Sequence, residues 1–170
     1  NTDGLDHCII YINMNEANIS PNLYHCIFDN NSDVTALTVL VENATTISDF
    51  TFQNYNDFHP CINLNKWKIS DTLTLDQFHF YNITNARCIY ISEASFKTII
   101  QNSEFTNISL PESNSQSMYL PRDCGASICC ISKANVLVTG CRFNNNFAIG
   151  SGGAIYGELQ ALDIQTCTFA

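Results

Sequence analysis

Positive charge is scarce in this chain: Lys and Arg together number 7 against 16 Asp and Glu, which leaves a net charge of −9. Nucleic acids and anionic membranes are bound through clustered cations, so the composition excludes both partner classes. No apolar run approaches the ~20 residues of a membrane-spanning helix. The sequence has no His-x-x-x-His pair, no Cys-x-x-Cys pair and no glycine-rich phosphate loop, so the usual signatures of zinc and nucleotide sites are missing. No segment carries apolar residues at helical spacing. Charged residues make up only 14% against 45% hydrophobic, a balance that belongs to folded chains and not to disordered ones. An initiator Met and a secretory leader are also lacking, and the chain opens on Asn1 and closes on Ala170 within a repeat, which predicts a segment of a longer polypeptide.

Cysteine and asparagine, by contrast, are abundant. There are 9 Cys in 170 residues, and Asn-x-Ser/Thr sequons begin at Asn18, Asn30, Asn43, Asn82 and Asn107. Cysteine, sequons and acidity together predict an extracellular or cell-surface glycoprotein.

The strongest signal is a repeat. Phe28, Phe52, Phe80, Phe105, Phe143 and Phe169 form one column, with spacings of 24, 28, 25, 38 and 26 residues. Two positions earlier lie Cys26, Phe50, Phe78, Ser103, Cys141 and Cys167. Five earlier lie Leu23, Ile47, Leu75, Ile100, Val138 and Ile164, all aliphatic. Two positions after the first five Phe lie Asn30, Asn54, Asn82, Asn107 and Asn145. Within each unit apolar and polar residues alternate, as in Leu73-Thr74-Leu75 and Phe78-His79-Phe80, which is strand spacing. The extra residue between the −5 and −2 positions, at Asp76-Gln77, suggests a bend or bulge. A second apolar strand follows each Asn: 36–41, 61–64, 88–91, 128–131 and 154–156.

Two or three short strands per ~25 residues without a helix make one coil of a β-helix. The fold class is therefore all-β: a parallel β-helix solenoid of about six coils, forming a single segment over 1–170. Equivalent residues on successive coils sit ~4.8 Å apart, so the six Phe predict an inward core ladder. The Asn column predicts a ladder of inward amides, each bonded to those above and below. That role competes with glycosylation at Asn30, Asn82 and Asn107; Asn18 and Asn43 lie outside the column and are the simpler acceptor candidates. The long unit carries an inserted loop at about 109–123. Its Met118-Tyr119-Leu120 cluster either packs back on the flank or forms a contact surface.

One unit carries a resemblance. Cys141-Arg142-Phe143-Asn144-Asn145-Asn146, followed by Gly152-Gly153-Ala154-Ile155-Tyr156, is similar to the paired Phe-x-x-Asn and Gly-Gly-Ala-Ile motifs of the polymorphic outer-membrane-protein repeats. Phe28 to Asn31 keeps the first half, and the units at Phe52, Phe80 and Phe105 keep neither. The resemblance implies a right-handed, pectin-lyase-like β-helix displayed outside the cell with an adhesive or structural role. Separately, Asn1-Thr2-Asp3-Gly4-Leu5-Asp6 resembles the first catalytic motif of polygalacturonases, in which Asp3 would be one of several carboxylates. The paired Asp expected next is reduced to Asp33 in Asn31-Ser32-Asp33-Val34, and the family's other two motifs are missing. An Asp-Gly turn before Cys8 to Ile12 is the plainer reading.

The remaining candidates are weaker. His7, His25, His59 and His79 share no column. Asp29, Asp33, Glu42, Asp49 and Asp57 could bind Ca²⁺ along a flank, but no ligand-rich loop recurs from coil to coil. Cys141 and Cys167 share one column and Cys61 and Cys88 another; stacked thiols are favoured over bridges, although rung spacing is compatible with disulfides. Cys124 is the clearest disulfide candidate, with Cys129 or Cys130 as its partner. The chain is read as a non-catalytic extracellular or cell-surface segment: a rigid spacer, adhesion surface or assembly component. Further coils or other subunits, and possible glycans, are its partners, and it needs no cofactor. The alternative is a carbohydrate-active hydrolase or lyase, or a glycan-binding module. Function, if locally encoded, belongs to the loop and flanks.

Overall fold

The computed structural model describes residues 8–13, 24–29, 35–40, 45–56, 59–64, 72–92, 96–110 and 125–170. The described strands are all parallel and fall into two ladders. The first stacks β1 (Cys8–Asn13), β3 (Thr35–Leu40), β5 (Ile62–Asn63), β7 (Ile89–Ser92) and the leading halves of β10 (Ile128–Thr139) and β13 (Ile155–Gln165). The second begins with β2 (Tyr24–Asp29), β4 (Thr45–Gln53) and β6 (Thr72–Thr84). It continues through β8 (Lys97–Gln101) and β9 (Glu104–Leu110), then the trailing half of β10 with β11 (Arg142–Asn144), and last the trailing half of β13 with β14 (Thr168–Phe169). β12 (Phe147–Ala148) pairs with the end of β9.

Every parallel neighbour is therefore reached after one circuit of the chain, which defines a parallel β-solenoid of about 4 turns. Following β4, β6, β8, β10 and β13 traces those turns, and β1, β2 and β3 add partial rungs. The expected count of about six coils is high because it scored each Phe as a whole turn.

The bend between the −5 and −2 positions has one cause in all six units. His25, Asp49, Gln77, Asn102, Gly140 and Thr166, three residues before each Phe, have φ between 51° and 62°. A left-handed residue in a strand acts as a one-residue bulge and turns the chain while the side chains on either side keep facing inward. In β6 the buried residues are Leu73 and Leu75, then Phe78 and Phe80, then Ile83. The alternation is broken at Gln77 and again at Asn82, both left-handed.

The interior is a stack of aromatic rings. From Phe28 to Phe169 successive Phe rings lie 4.7–5.0 Å apart, with interplanar angles of 4–10°. Phe50 and Phe78 form a shorter second pair beside it, at 5.3 Å. Burying each Phe contributes ~1.5–3 kcal/mol, and stacking adds to that. The two ends differ. Phe28 is 5% exposed although no described ring lies beyond it, whereas Phe169 is 54% exposed. Leu162 and Ile164, also core positions, are partly exposed in the same last coil, and Phe143, Asn146, Ala154, Phe169 and Ala170 line a depression of about 290 Å³ there.

The Gly-Gly-Ala-Ile motif has a backbone explanation. Gly125 and Gly152 have φ of 65° and 66°, three residues before Ile128 and Ile155, which are paired across the ladder. A Cβ on Gly152 would run into the Ile155 carbonyl, and one on Gly125 would meet the Ile128 carbonyl oxygen at 2.5 Å. Gly153 faces the Asn146 carbonyl, so its Cβ would also be too close.

Candidate functional site

Cys26, Cys61, Cys88, Cys129, Cys130, Cys141 and Cys167 carry thiols and form no disulfide with one another, in keeping with the stacked thiols favoured for Cys61 with Cys88 and Cys141 with Cys167; a bridge from Cys129 or Cys130 could be made only to Cys124. Cys124 lies outside the described residues. The −2 column shows why a small donor suits the bend. Ser103 Oγ donates to the Gln101 carbonyl at 2.8 Å, Cys141 Sγ to Thr139 at 3.4 Å and Cys167 Sγ to Gln165 at 3.3 Å. Each therefore serves the carbonyl two residues back, next to the left-handed residue. The thiols of Cys141 and Cys167 also reach the coil below, at the carbonyls of Ile100 (3.5 Å) and Val138 (3.6 Å). Burial, with the neighbouring Cys167, pushes the Cys141 thiol up to about 12, although its backbone hydrogen bonds act the other way. Burial likewise raises Cys88 and Cys130, aided by Cys61 and Cys129 respectively. All three are protonated at neutral pH and are poor nucleophiles or metal ligands. Cys130 belongs to the core; Cys129, one residue earlier and outside that cluster, is buried on the other face of the strand.

The asparagine column lies on the surface and not inward as expected. Asn54, Asn82, Asn107 and Asn145 are exposed and left-handed, with φ of 52–57°. Each side-chain amide donates to the coil below: Asn145 to Asn107 at 2.8 Å, Asn107 to Asn82 at 3.2 Å, Asn82 to Asn54 at 3.3 Å, and Asn54 to Asp29 at 3.0 Å. Asn tolerates this backbone region better than other side-chain-bearing residues. Asn146, the next residue, turns in to donate to the Phe105 carbonyl (3.0 Å) and accept from the Ile108 amide (3.2 Å). Of the sequons, Asn82 and Asn107 are thus rungs of this ladder; Asn18, Asn30 and Asn43 lie outside the described residues.

Other expected positions are dispersed. Asp29 accepts from Asn54, and Asp49 pairs with His25 at 2.8 Å on exposed surface; Asp3, Asp33, Glu42 and Asp57 are not among the described residues, which hold no cluster of three metal-ligating side chains. No described helix is long and apolar enough to cross a membrane. Ser109 and Leu110 extend β9 and pair with Phe147 and Ala148, so the loop boundary moves from 109 to beyond 110. The rest of the inserted loop, including Met118-Tyr119-Leu120, falls outside the described residues.

One polar cluster was not singled out from sequence. The residues beside each Phe point outward and form two rows along the coil axis. One row runs Thr51, His79, Glu104, Arg142; the other Gln53, Tyr81, Thr106, Asn144. At the centre, Tyr81 Oη donates to Glu104 Oε2 at 3.0 Å and Thr106 Oγ1 to Glu104 Oε1 at 3.3 Å. His79 Nδ1 lies 3.4 Å from Tyr81 Oη and 4.0 Å from Glu104 Oε2. Partial burial, and then the Glu104 carboxylate, raise the Tyr81 phenol above its ordinary value, so it is a donor and not a nucleophile. The alternation of β6 and β9 pointed these side chains outward, but only the register between coils brings them together. No known protein family, curated protein or solved structure matches the chain.

Proposed function

We propose that the chain is a non-catalytic, extracellular or cell-surface β-helix segment that acts as a rigid spacer and adhesive surface, of the right-handed pectin-lyase-like kind that the polymorphic outer-membrane-protein repeats represent. The carrying observation is where the carboxylates lie on the outward strip. Glu104 is flanked in its row by His79 and Arg142, and the nearest acidic residue on the described strip, Asp29, sits three rungs away. Three rungs span about 14 Å, against the ~5–9.5 Å that glycoside hydrolysis requires between its two carboxyl groups. The regular columns meanwhile serve shape: an aromatic core, a thiol or hydroxyl at the bend, an amide ladder outside.

Labelling intact cells that express the protein, with an antibody against it, tests the location. Label on unpermeabilised cells is expected; label only after permeabilisation overturns the reading.

A further inference from the structure

The outward strip around Glu104 has a shape and chemistry that spacing and rigidity do not require. Tyr81 and His79 lie on the same face of β6 with ring centroids 6.1 Å apart and planes 8° from parallel. The phenol oxygen itself approaches the imidazole, at 3.4 Å, so the two near-parallel rings are offset from one another and form one aromatic pair on the strip. Next to this pair the Glu104 carboxylate is held by two hydroxyl donors, one on each oxygen. A carboxylate oxygen accepts more than one hydrogen bond, so both oxygens keep acceptor capacity at a fixed position. His79 and Glu104 side chains are 34% and 38% exposed, open enough for a ligand to reach them.

An aromatic pair beside a positioned acceptor suits a sugar ring, which presents C–H groups to an aromatic ring and hydroxyls to the acceptor. Other ligand classes fit less well. A polyanion would meet Glu104 on a chain of net charge −9, and a metal ion would find no three-ligand cluster among the described residues. An apolar partner would need an exposed apolar patch at the centre, whereas Thr51, Gln53, Arg142 and Asn144 flank it with polar groups and the exposed Ile27 stands beyond Thr51. Those flanking groups repeat at the ~4.8 Å coil spacing, so a linear ligand would lie along the solenoid axis.

We infer that the strip centred on His79, Tyr81, Glu104 and Thr106 is a binding subsite for an uncharged polysaccharide. The inference deepens the adhesive reading by naming its ligand class, and rests on it only in that such a polysaccharide is met outside the cell. Affinity electrophoresis tests it, with native gels containing hydroxyethylcellulose, glucomannan or polygalacturonate. Retardation is expected in at least one uncharged gel and not in polygalacturonate. Tyr81→Ala should weaken it about tenfold or more, Glu104→Gln about threefold to tenfold, and Tyr81→Phe less than Tyr81→Ala, because the ring remains. Thermal midpoints of the variants establish that they fold; should Tyr81→Ala fail to fold, Glu104→Gln, which is nearly isosteric, decides. No retardation in either uncharged gel, retardation by polygalacturonate alone, or retardation indifferent to Glu104→Gln overturns the subsite. Failure here with surface labelling intact leaves the adhesive reading standing. Binding with exclusively intracellular label removes that reading and keeps the subsite.

Discussion

At the residue scale, position within a coil decides what a side chain contributes. Phe80 is fully buried with a ring on each side, whereas Phe169 is stacked on one side only and is 54% exposed. Phe80→Ala should cost about 3–5 kcal/mol through lost transfer energy and the cavity left behind. Urea denaturation measures the loss, and a loss below about 1 kcal/mol would contradict a continuous aromatic stack. The thiols give a pH dependence. The folded-state pKa values of Cys88, Cys130 and Cys141 all lie above the ordinary value of 9.0. Their contribution to stability is therefore complete below pH ~9 and declines as pH rises, by up to about 1.4 kcal/mol per unit for each thiol that ionises only on unfolding. For Cys141 the decline runs from 9.0 to about 12. Thermal midpoints should fall steeply between pH 9 and 11, and Cys141→Ser, which keeps a donor to the bend carbonyl, should reduce the slope. A pH-independent midpoint over that range would show the thiols to be solvated.

Sequence alone revealed the Phe column because a large aromatic at one place in every period has a single explanation. It did not reveal the chemistry of the Cys column. Disulfide partner, core filler and hydrogen-bond donor share one residue type, and only the bend carbonyls at 3.3–3.4 Å from Cys167 and Cys141 separate them. The Asn column was legible as a ladder but placed on the wrong side. An amide that bonds its equivalents works equally well in a core or on a surface, and the left-handed backbone that turns Asn82 outward leaves no mark in composition.

At the scale of the element, the strands are defined by where they bend. The six left-handed residues before the Phe column are five residues with side chains and one glycine, Gly140. That row accepts side chains. A Cβ on Gly140 meets the Asn102 Oδ1 atom at 2.9 Å, the end of a side chain that can move aside. Gly125 and Gly152 form a different row, closed by the backbone of Ile128 and Ile155. Gly152→Ala should therefore destabilise by about 2 kcal/mol or more, adding a backbone clash to left-handed strain, whereas Gly140→Asn should change stability by less than about 1 kcal/mol because Asn tolerates this conformation. Thermal denaturation of the pair measures this, and equal tolerance at both positions would argue against the glycine row. The repetition of Gly-x-x-Ile at 125–128 and 152–155 was present in the sequence, but the double glycine at 152–153 drew the motif to one unit. Gly153 is an answer to the Asn146 carbonyl and not to the shared turn.

At the scale of the whole molecule, a solenoid separates shape from ligand. Inward columns set the period and could be found from it. Outward rows are assembled across coils, so Tyr81 and Glu104 are 23 residues apart in sequence and 3.0 Å apart in space. Alternation alone names the face of each residue and not its neighbour along the axis, which is why the period was legible and the polar cluster was not. Along the described outward rows, the next carboxylate in register with Glu104 is Asp29, three rungs away.

The central claim is a scaffold that displays a surface without turning over a substrate. It is tested most directly by incubating the purified protein with hydroxyethylcellulose, glucomannan and polygalacturonate and measuring the reducing ends and unsaturated products released. No product above the buffer control is predicted at any time. Sustained release that Glu104→Gln abolishes would contradict the claim and identify an enzyme.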